Sequence, residues 1–194
     1  MRHTRPMTSE TRDLPERLIE RAEVFNGRLL HVFRDEVDLG EGRVAVREVI
    51  HHPGAAAVVA IADDGRTVLV RQWRHAVAKP MWEICAGTRD GDEEFDVCAR
   101  RELTEETGYT AAQWRRLGAG AVSPGYSDEF VHLFLAQGLT AGTTAMDEDE
   151  NVETALFTQE QVLALIERGE TDLKTVAGLA LAGWLTHPGA EVNR

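Results

Sequence analysis

GTRDGDEEFDVCARRELTEETGY, Gly87 to Tyr109, is the stretch on which the reading of this chain turns. Within it EEFDVCARRELTEETG is rich in helix formers, begins with acidic residues and stops at Gly108, so it predicts a loop followed by one helix. On that helix Glu102 and Glu106 lie four residues apart and Glu105 lies three from Glu102, which gathers three carboxylates within about one turn on one side. Like charges so placed repel one another, and a divalent cation between them removes the repulsion. Oxygen ligands suit Mg²⁺ or Mn²⁺, and Mg²⁺ keeps waters and takes substrate phosphates as further ligands. Arg101 stands at the i,i+4 spacing from Glu105 and can orient that face, Gly87 permits a close backbone approach, and the carbonyl of Ala86 is a candidate further ligand. Taken alone, the same residues also describe a solvated acidic helix face.

Outward from this segment the chain is β-rich on its N-terminal side. Residues 18 to 50 read as three short strands with turns at Asn26-Gly27 and at Gly40 to Gly42. GAAAVVAIADDGRTVLVRQWR reads as a hairpin turning at Asp63, Asp64 and Gly65. After Trp82 a loop, GTRDGD, is expected ahead of the helix. Past the helix, AAQWRRLGAGAV and FVHLFLAQGL read as strands around a turn containing SPGYSDE, and MDEDENVETALF as an acidic loop leading into another strand. Two helices close the chain: one opens at Thr158 with Gln161 as its capping-box partner and runs to about Arg168, and the other spans about Asp172 to Thr186. Strands, helix, strands, helices imply an α/β (α+β) class, with a mixed sheet carrying helices on its faces.

Composition narrows the function classes. The chain has 194 residues, 43% of them hydrophobic and 28% charged, as in an ordinary globular domain with a sizeable core. A net charge of -12 argues against a surface that tracks nucleic-acid phosphates. The longest apolar run, Ala55 to Ala62, is far short of the roughly 20 residues that span a bilayer, so no membrane association is expected. Met1 to Arg17 is polar, with Pro6 and Pro15, and reads as a mostly disordered leader, neither secretory signal nor anchor. Cys85 and Cys98 are too few for a disulfide framework and read as buried reduced thiols in a cytoplasmic protein.

The segment from Gly87 to Tyr109 resembles the Nudix box, G-x5-E-x7-R-E-U-x-E-E-x-G-U, where U is a bulky apolar residue. Gly87, Glu93, Arg101, Glu102, Leu103, Glu105, Glu106 and Gly108 meet it, and Tyr109 stands at the last U, where the family usually has an aliphatic residue. The resemblance implies a Nudix fold, a mixed β-sheet sandwiched between helices, over residues 51 to 190, and hydrolysis of a nucleoside diphosphate linked to another moiety. By the same carry-over, Glu102 and Glu106 are main metal ligands, Glu105 a further ligand or water-orienting group, Ala86 a carbonyl ligand and Arg101 the orienting cation. Two or three Mg²⁺ ions, or Mn²⁺, are expected: a diphosphate repels hydroxide, and such ions neutralise its oxygens and lower the pKa of a bound water.

The flanks RQWRHAVAKPMWEICAG and SPGYSDEF are similar to those of the ADP-ribose pyrophosphatase subfamily, including a proline sixteen residues past the last box glycine, here Pro124. This similarity makes Glu129 the candidate general base, with Asp128 second, on a turn built by Pro124 and Gly125 and anchored by Tyr126; a solvated acidic turn is the alternative. Arg74 becomes a phosphate or terminal-ribose contact, since a guanidinium grips an anion at two points. On an extended strand Arg71 and Trp73 share one face, and Gln72 and Arg74 the other. Arg71 is a further substrate candidate, with plain surface solvation as its alternative. Glu83, beside a core Trp82, could position the box and contact substrate, and Arg47, Glu48, Phe25 and Phe33 are candidates for the adenine pocket. Glu150, in the acidic stretch Asp147 to Asn151, is a candidate metal ligand, and a solvated loop fits it equally. ICAG, with Cys85, replaces the PAG-type approach frequent in the family. The resemblance also implies a homodimer, with the β-rich residues 18 to 50 exchanged between subunits. The expected reaction is cleavage of ADP-ribose to AMP and ribose 5-phosphate. The alternatives are another nucleoside diphosphate sugar such as GDP-mannose, a dinucleotide, or noncatalytic sensing of ADP-ribose.

Overall fold

The computed structural model describes residues 15–142 and 152–185. The chain divides into two compact units, Met1–His51 and His52–Arg194. In the first, β1 (Arg17–Asn26), β2 (His31–Asp38) and β3 (Val44–His51) form an antiparallel meander. Both expected turns are present: the Gly27 N–H donates to the Leu30 carbonyl, and Gly40 to Gly42 turn at positive φ. The meander's one deeply buried charge, Asp35, is held by Arg21 through bonds of 2.8 and 2.6 Å. Along β1 every residue is exposed, and Leu18, Ile19, Val24 and Phe25 are between 50% and 58% accessible.

The second unit is built on β4 (Ala55–Ile61), the apolar run that the sequence marked. Its odd-numbered residues Ala55, Ala57 and Val59 point to one core and its even-numbered Ala56, Val58 and Ala60 to another. A strand buried on both faces has no polar alternation, which is why the run is continuous. The sheet order is β10 (Glu153–Phe157), β5 (Thr67–Arg74), β4, β9 (Phe130–Ala141), β8 (Tyr109–Ala121). The β4–β9 pair is parallel over Ala55 to Ile61, and its neighbours are antiparallel. Helix α1 (Phe95–Thr107) covers one face through Cys98, Ala99 and Leu103. Helices α2 (Gln159–Glu167) and α3 (Leu173–Leu181) cover the other through Val162, Leu165 and Leu179.

The first two residues of the expected loop GTRDGD, Gly87 and Thr88, belong to a strand, and the segment before them is sheet as well. β4 and β5 pair only at Ala60–Val68 and Ile61–Thr67, then diverge; β6 (Lys79–Glu83) continues along β5 and β7 (Cys85–Thr88) along β4. KPMWEICAGT has no period-2 pattern to announce this, because the pairing is imposed by the diverging neighbours. Trp82 packs edge-on against Phe157, with ring centres 4.6 Å apart, in the core role expected of it.

The capping box at Thr158 and Gln161 is formed, and α2 ends as the sequence suggested. α3 stops at Leu181, short of Thr186: Gly183 turns at φ 73°, and the Trp184 and Leu185 N–H groups fold back onto the Leu179 carbonyl. Among the described residues no helix is long and apolar enough to cross a membrane.

Candidate active site

The box segment folds as a short strand, a loop and α1. Glu94 caps the helix with backbone alone, its carbonyl accepting from Val97 and Cys98, and Gly108 ends it at φ 71° with its N–H on Thr104. Three of the carboxylates do not lie alike. Glu102 and Glu106 are buried, on the face of α1 that also carries Leu103, whereas the Glu105 side chain is 38% exposed. Two carboxylates set into an apolar helix face are costly unless partnered, and the sequence supplies partners from both sides.

Arg101 is one of them. It donates to Glu102 at 2.7 Å, to Glu105 at 2.9 Å, to Glu93 at 3.1 and 3.0 Å, and to the Thr88 carbonyl at 3.2 Å. Glu93 above all holds the guanidinium firmly charged against the cost of its partial burial. β7 is the other partner. The Ala86 N–H donates to Glu106 at 3.1 Å rather than to β4, so Ala86 and Ala57 form a non-hydrogen-bonded pair. A residue's N–H and carbonyl lie on one edge of a strand, so the Ala86 carbonyl also turns away from β4. The Thr88 carbonyl, two residues on, turns the same way and meets Arg101.

These donors fit a hard divalent cation. They are oxygens only, and Gly87 leaves the Glu102 carboxylate room against the backbone that any side chain would fill. Glu102, Glu106, Glu105 and the Ala86 carbonyl are the residues that would hold it. Among the described residues no three His, Cys, Asp or Glu side chains are already gathered for a metal: Glu102 and Glu105 rest on Arg101, and Glu106 on Ala86. Glu150 lies outside the described residues.

β7 opens onto a cavity of about 580 Å³. Ala86, Gly87 and Thr88 line one side, Ser123 and Glu129 approach from the β8–β9 connection, and Arg74, Glu83 and Lys174 form a charged floor. Glu83 is 2% exposed and receives both Arg74 (2.7 and 2.6 Å) and Lys174. Burial alone would raise the Glu83 carboxyl, yet the two cations outweigh it and hold it at about 2. Lys174 also binds Asp172, which caps α3 by accepting the Thr175 N–H at 2.9 Å.

The structure thus brings Arg74, Glu83, Ala86 and Glu129 to one cavity. Asp128, the second candidate for base, accepts the His52 N–H at 2.8 Å. Pro124 belongs to the adjoining turn, where the Tyr126 and Ser127 N–H groups both reach the Ser123 carbonyl; Tyr126 itself is 58% exposed, so backbone and not its ring secures the turn. Arg71 lies away from the cavity lining, paired with Glu153 at 3.2 Å on the edge strand. Arg47 sits in the N-terminal unit, bonded to Glu16 at 2.9 and 2.5 Å. Nothing in the sequence marks Lys174, and Asp172 signals only the start of a helix. Cys85 and Cys98 are buried free thiols, as expected, and burial pushes Cys98 up to about 11.

The NUDIX domain model matches residues 51–178. The chain belongs to the Nudix family. An ADP-ribose pyrophosphatase of Bacillus subtilis (strain 168) is 40% identical over 167 residues, covering 84% of this chain and 90% of the relative. A methanol dehydrogenase activator of Bacillus methanolicus is 40% identical over 164 residues, 83% and 89% of the two chains. A solved structure described as an ADP compounds hydrolase superposes with a TM-score of 0.76, at 22% identity over 88% of this chain and 94% of its own, and shows the same fold. In this Nudix domain the mixed sheet between helices is therefore the family's sheet.

Proposed function

We propose that this protein hydrolyses the diphosphate of ADP-ribose, with water, to AMP and ribose 5-phosphate. The observation that carries the reading is that the box backbone at Ala86 to Thr88, Glu129 and Arg74 all line one cavity. A diphosphate seated there meets a metal-binding edge, a carboxylate able to take a proton from water, and a guanidinium for its negative charge. The 40%-identical ADP-ribose pyrophosphatase supports the choice of substrate.

In this reading Glu102, Glu105, Glu106 and the Ala86 carbonyl hold two or three Mg²⁺ or Mn²⁺ ions, with Glu150 as a further ligand. The ions supply charge neutralisation and a water of lowered pKa. Arg101 keeps the carboxylates oriented, and Glu129 accepts the proton of the attacking water. Arg74 uses Nε and Nη2 on Glu83, which leaves Nη1 for a phosphate oxygen. Pro124 sets the turn that carries Glu129. The exposed apolar side chains of β1 support a homodimer, with residues 18–50 as the exchanged element and Arg47 and Arg71 as the outer substrate contacts. A cytoplasmic enzyme fits the reduced buried cysteines.

The test is product analysis with ADP-ribose and Mg²⁺ beside GDP-mannose, NADH and diadenosine polyphosphates, with an EDTA control. AMP and ribose 5-phosphate formed fastest from ADP-ribose, and abolished by EDTA, is the expected result. Faster cleavage of GDP-mannose would move the assignment to another nucleoside diphosphate sugar, and no cleavage of any would leave a sensor.

A further inference from the structure

The charged floor of the cavity is electrically balanced. Arg74 and Lys174 bring two positive charges; Glu83 and Asp172 bring two negative ones, and all four line the same space. A phosphate bound against Lys174 would stand beside the Glu83 and Asp172 carboxylates that already hold the ammonium, and like charges repel. A neutral ligand with adjacent donors and acceptors meets no such repulsion.

Lys174 and Asp172 offer that pattern. An ammonium has three donors, of which Glu83 and Asp172 take two. Asp172 takes the Thr175 N–H on Oδ1 and Lys174 on Oδ2, and each carboxylate oxygen accepts a second bond. One vicinal hydroxyl can accept from the ammonium while its neighbour donates to the carboxylate. Apolar side chains, Val77, Met81 and Leu173, line the same cavity. Leu173 is 85% exposed although it opens a helix packed on the core, so it does no core work and leaves a methyl surface for sugar C–H faces. No aromatic side chain is among the described cavity residues, and a purine would lack a ring to stack on.

We infer that Lys174 and Asp172 form the subsite that reads the vicinal hydroxyls of the terminal sugar on the diphosphate, which makes them specificity-determining residues. The inference rests on the nucleoside diphosphate sugar reading above. It assigns Arg74 to the diphosphate and Lys174 to the sugar, two cations on one carboxylate with separate tasks.

Lys174→Met removes the donor. Binding is measured by calorimetry in EDTA, where no turnover occurs, with ADP-ribose and with the methyl ester of ADP, which keeps the diphosphate and lacks the second sugar. Loss of a hydrogen bond to a charged group should weaken ADP-ribose by about tenfold or more and leave the methyl ester unchanged. Equal weakening of both ligands, or of neither, overturns the inference. Lys174→Arg guards against a variant that fails to fold: it keeps a cation for Glu83 and Asp172, and its rigid fork replaces the ammonium, so the unfolding midpoint should hold while the same selective loss appears. If the wild-type protein binds GDP-mannose in place of ADP-ribose, the ADP-ribose reading falls, and the subsite is judged by selective loss on GDP-mannose against the methyl ester of GDP.

Discussion

The Glu102 carboxylate occupies the space that a side chain at Gly87 would need. A Cβ on Gly87 would stand 1.9 Å from Glu102 Oε1 and 2.0 Å from its Cδ. The obstacle is the far end of a flexible side chain, so the fold can yield by swinging Glu102 aside. Gly87→Ala should therefore cost less than about 1 kcal/mol in urea unfolding yet lower kcat by about a hundredfold. Retained turnover would show that Glu102 is not needed where it lies.

Glu106→Gln keeps an oxygen for the Ala86 N–H, which now meets Glu106 at 3.1 Å, and removes the charge. Circular dichroism should be unchanged, while ADP-ribose turnover in Mg²⁺ falls by about a hundredfold or more. Mn²⁺ and Mg²⁺ titrations should both shift to higher concentration. A variant as active as wild type would remove Glu106 from the metal site.

Arg101 relieves the mutual repulsion of Glu93, Glu102 and Glu105 in the absence of metal. Arg101→Met should lower stability by about 1–3 kcal/mol in EDTA at low salt, and added Mg²⁺ should restore more of it than it adds to wild type. Thermal unfolding with and without Mg²⁺ reads both effects. Equal Mg²⁺ stabilisation of the two proteins would show that the arginine is not the counter-ion of these carboxylates.

Glu83 carries a pH signature. Its carboxyl is held at about 2 in the folded protein against 4.5 for the ordinary group, so the folded state favours its ionised form. That contribution is fully present above pH 4.5 and is lost as pH falls from 4.5 through about 2. Denaturant titrations across this window should show a flatter decline for Glu83→Gln than for wild type. Parallel curves would count against the Arg74 and Lys174 pairing.

The box was legible in the sequence because its chemistry is local: Arg101 and its carboxylates are separated by no more than eight positions, a spacing that a loop and one helix turn into contacts. Arg74 and Glu83 lie nine residues apart on the β5–β6 hairpin, but Arg74 is paired with Lys79 and Glu83 with Val70, so the strand pattern places both near the site without announcing their bond. Lys174 was not legible. It meets Glu83 across 91 positions, and a lysine in the first turn of a helix carries no sign of a buried partner. Asp128 and His52 meet across 76, and nothing in SPGYSDE foretold which acidic residue would be spent on backbone. β6 and β7 were missed for a related reason: their extension follows from the divergence of β4 and β5, which no segment encodes by itself.

The parallel seam between β4 and β9 also sets the order in which this enzyme can come to life on the ribosome. Ala55 must lie beside Val131 before Glu129 can reach the box, since β4 carries β7 on one edge and β9 on the other. A nascent chain that has emerged only through α1 already holds Glu102, Glu105 and Glu106, and it still lacks Glu129, the proposed proton acceptor. Pairing across such a separation is slow to close. On the assignment of Glu129 proposed above, turnover would have to wait until synthesis has passed β9, because the strand order that brings Glu129 to the cavity is closed only then.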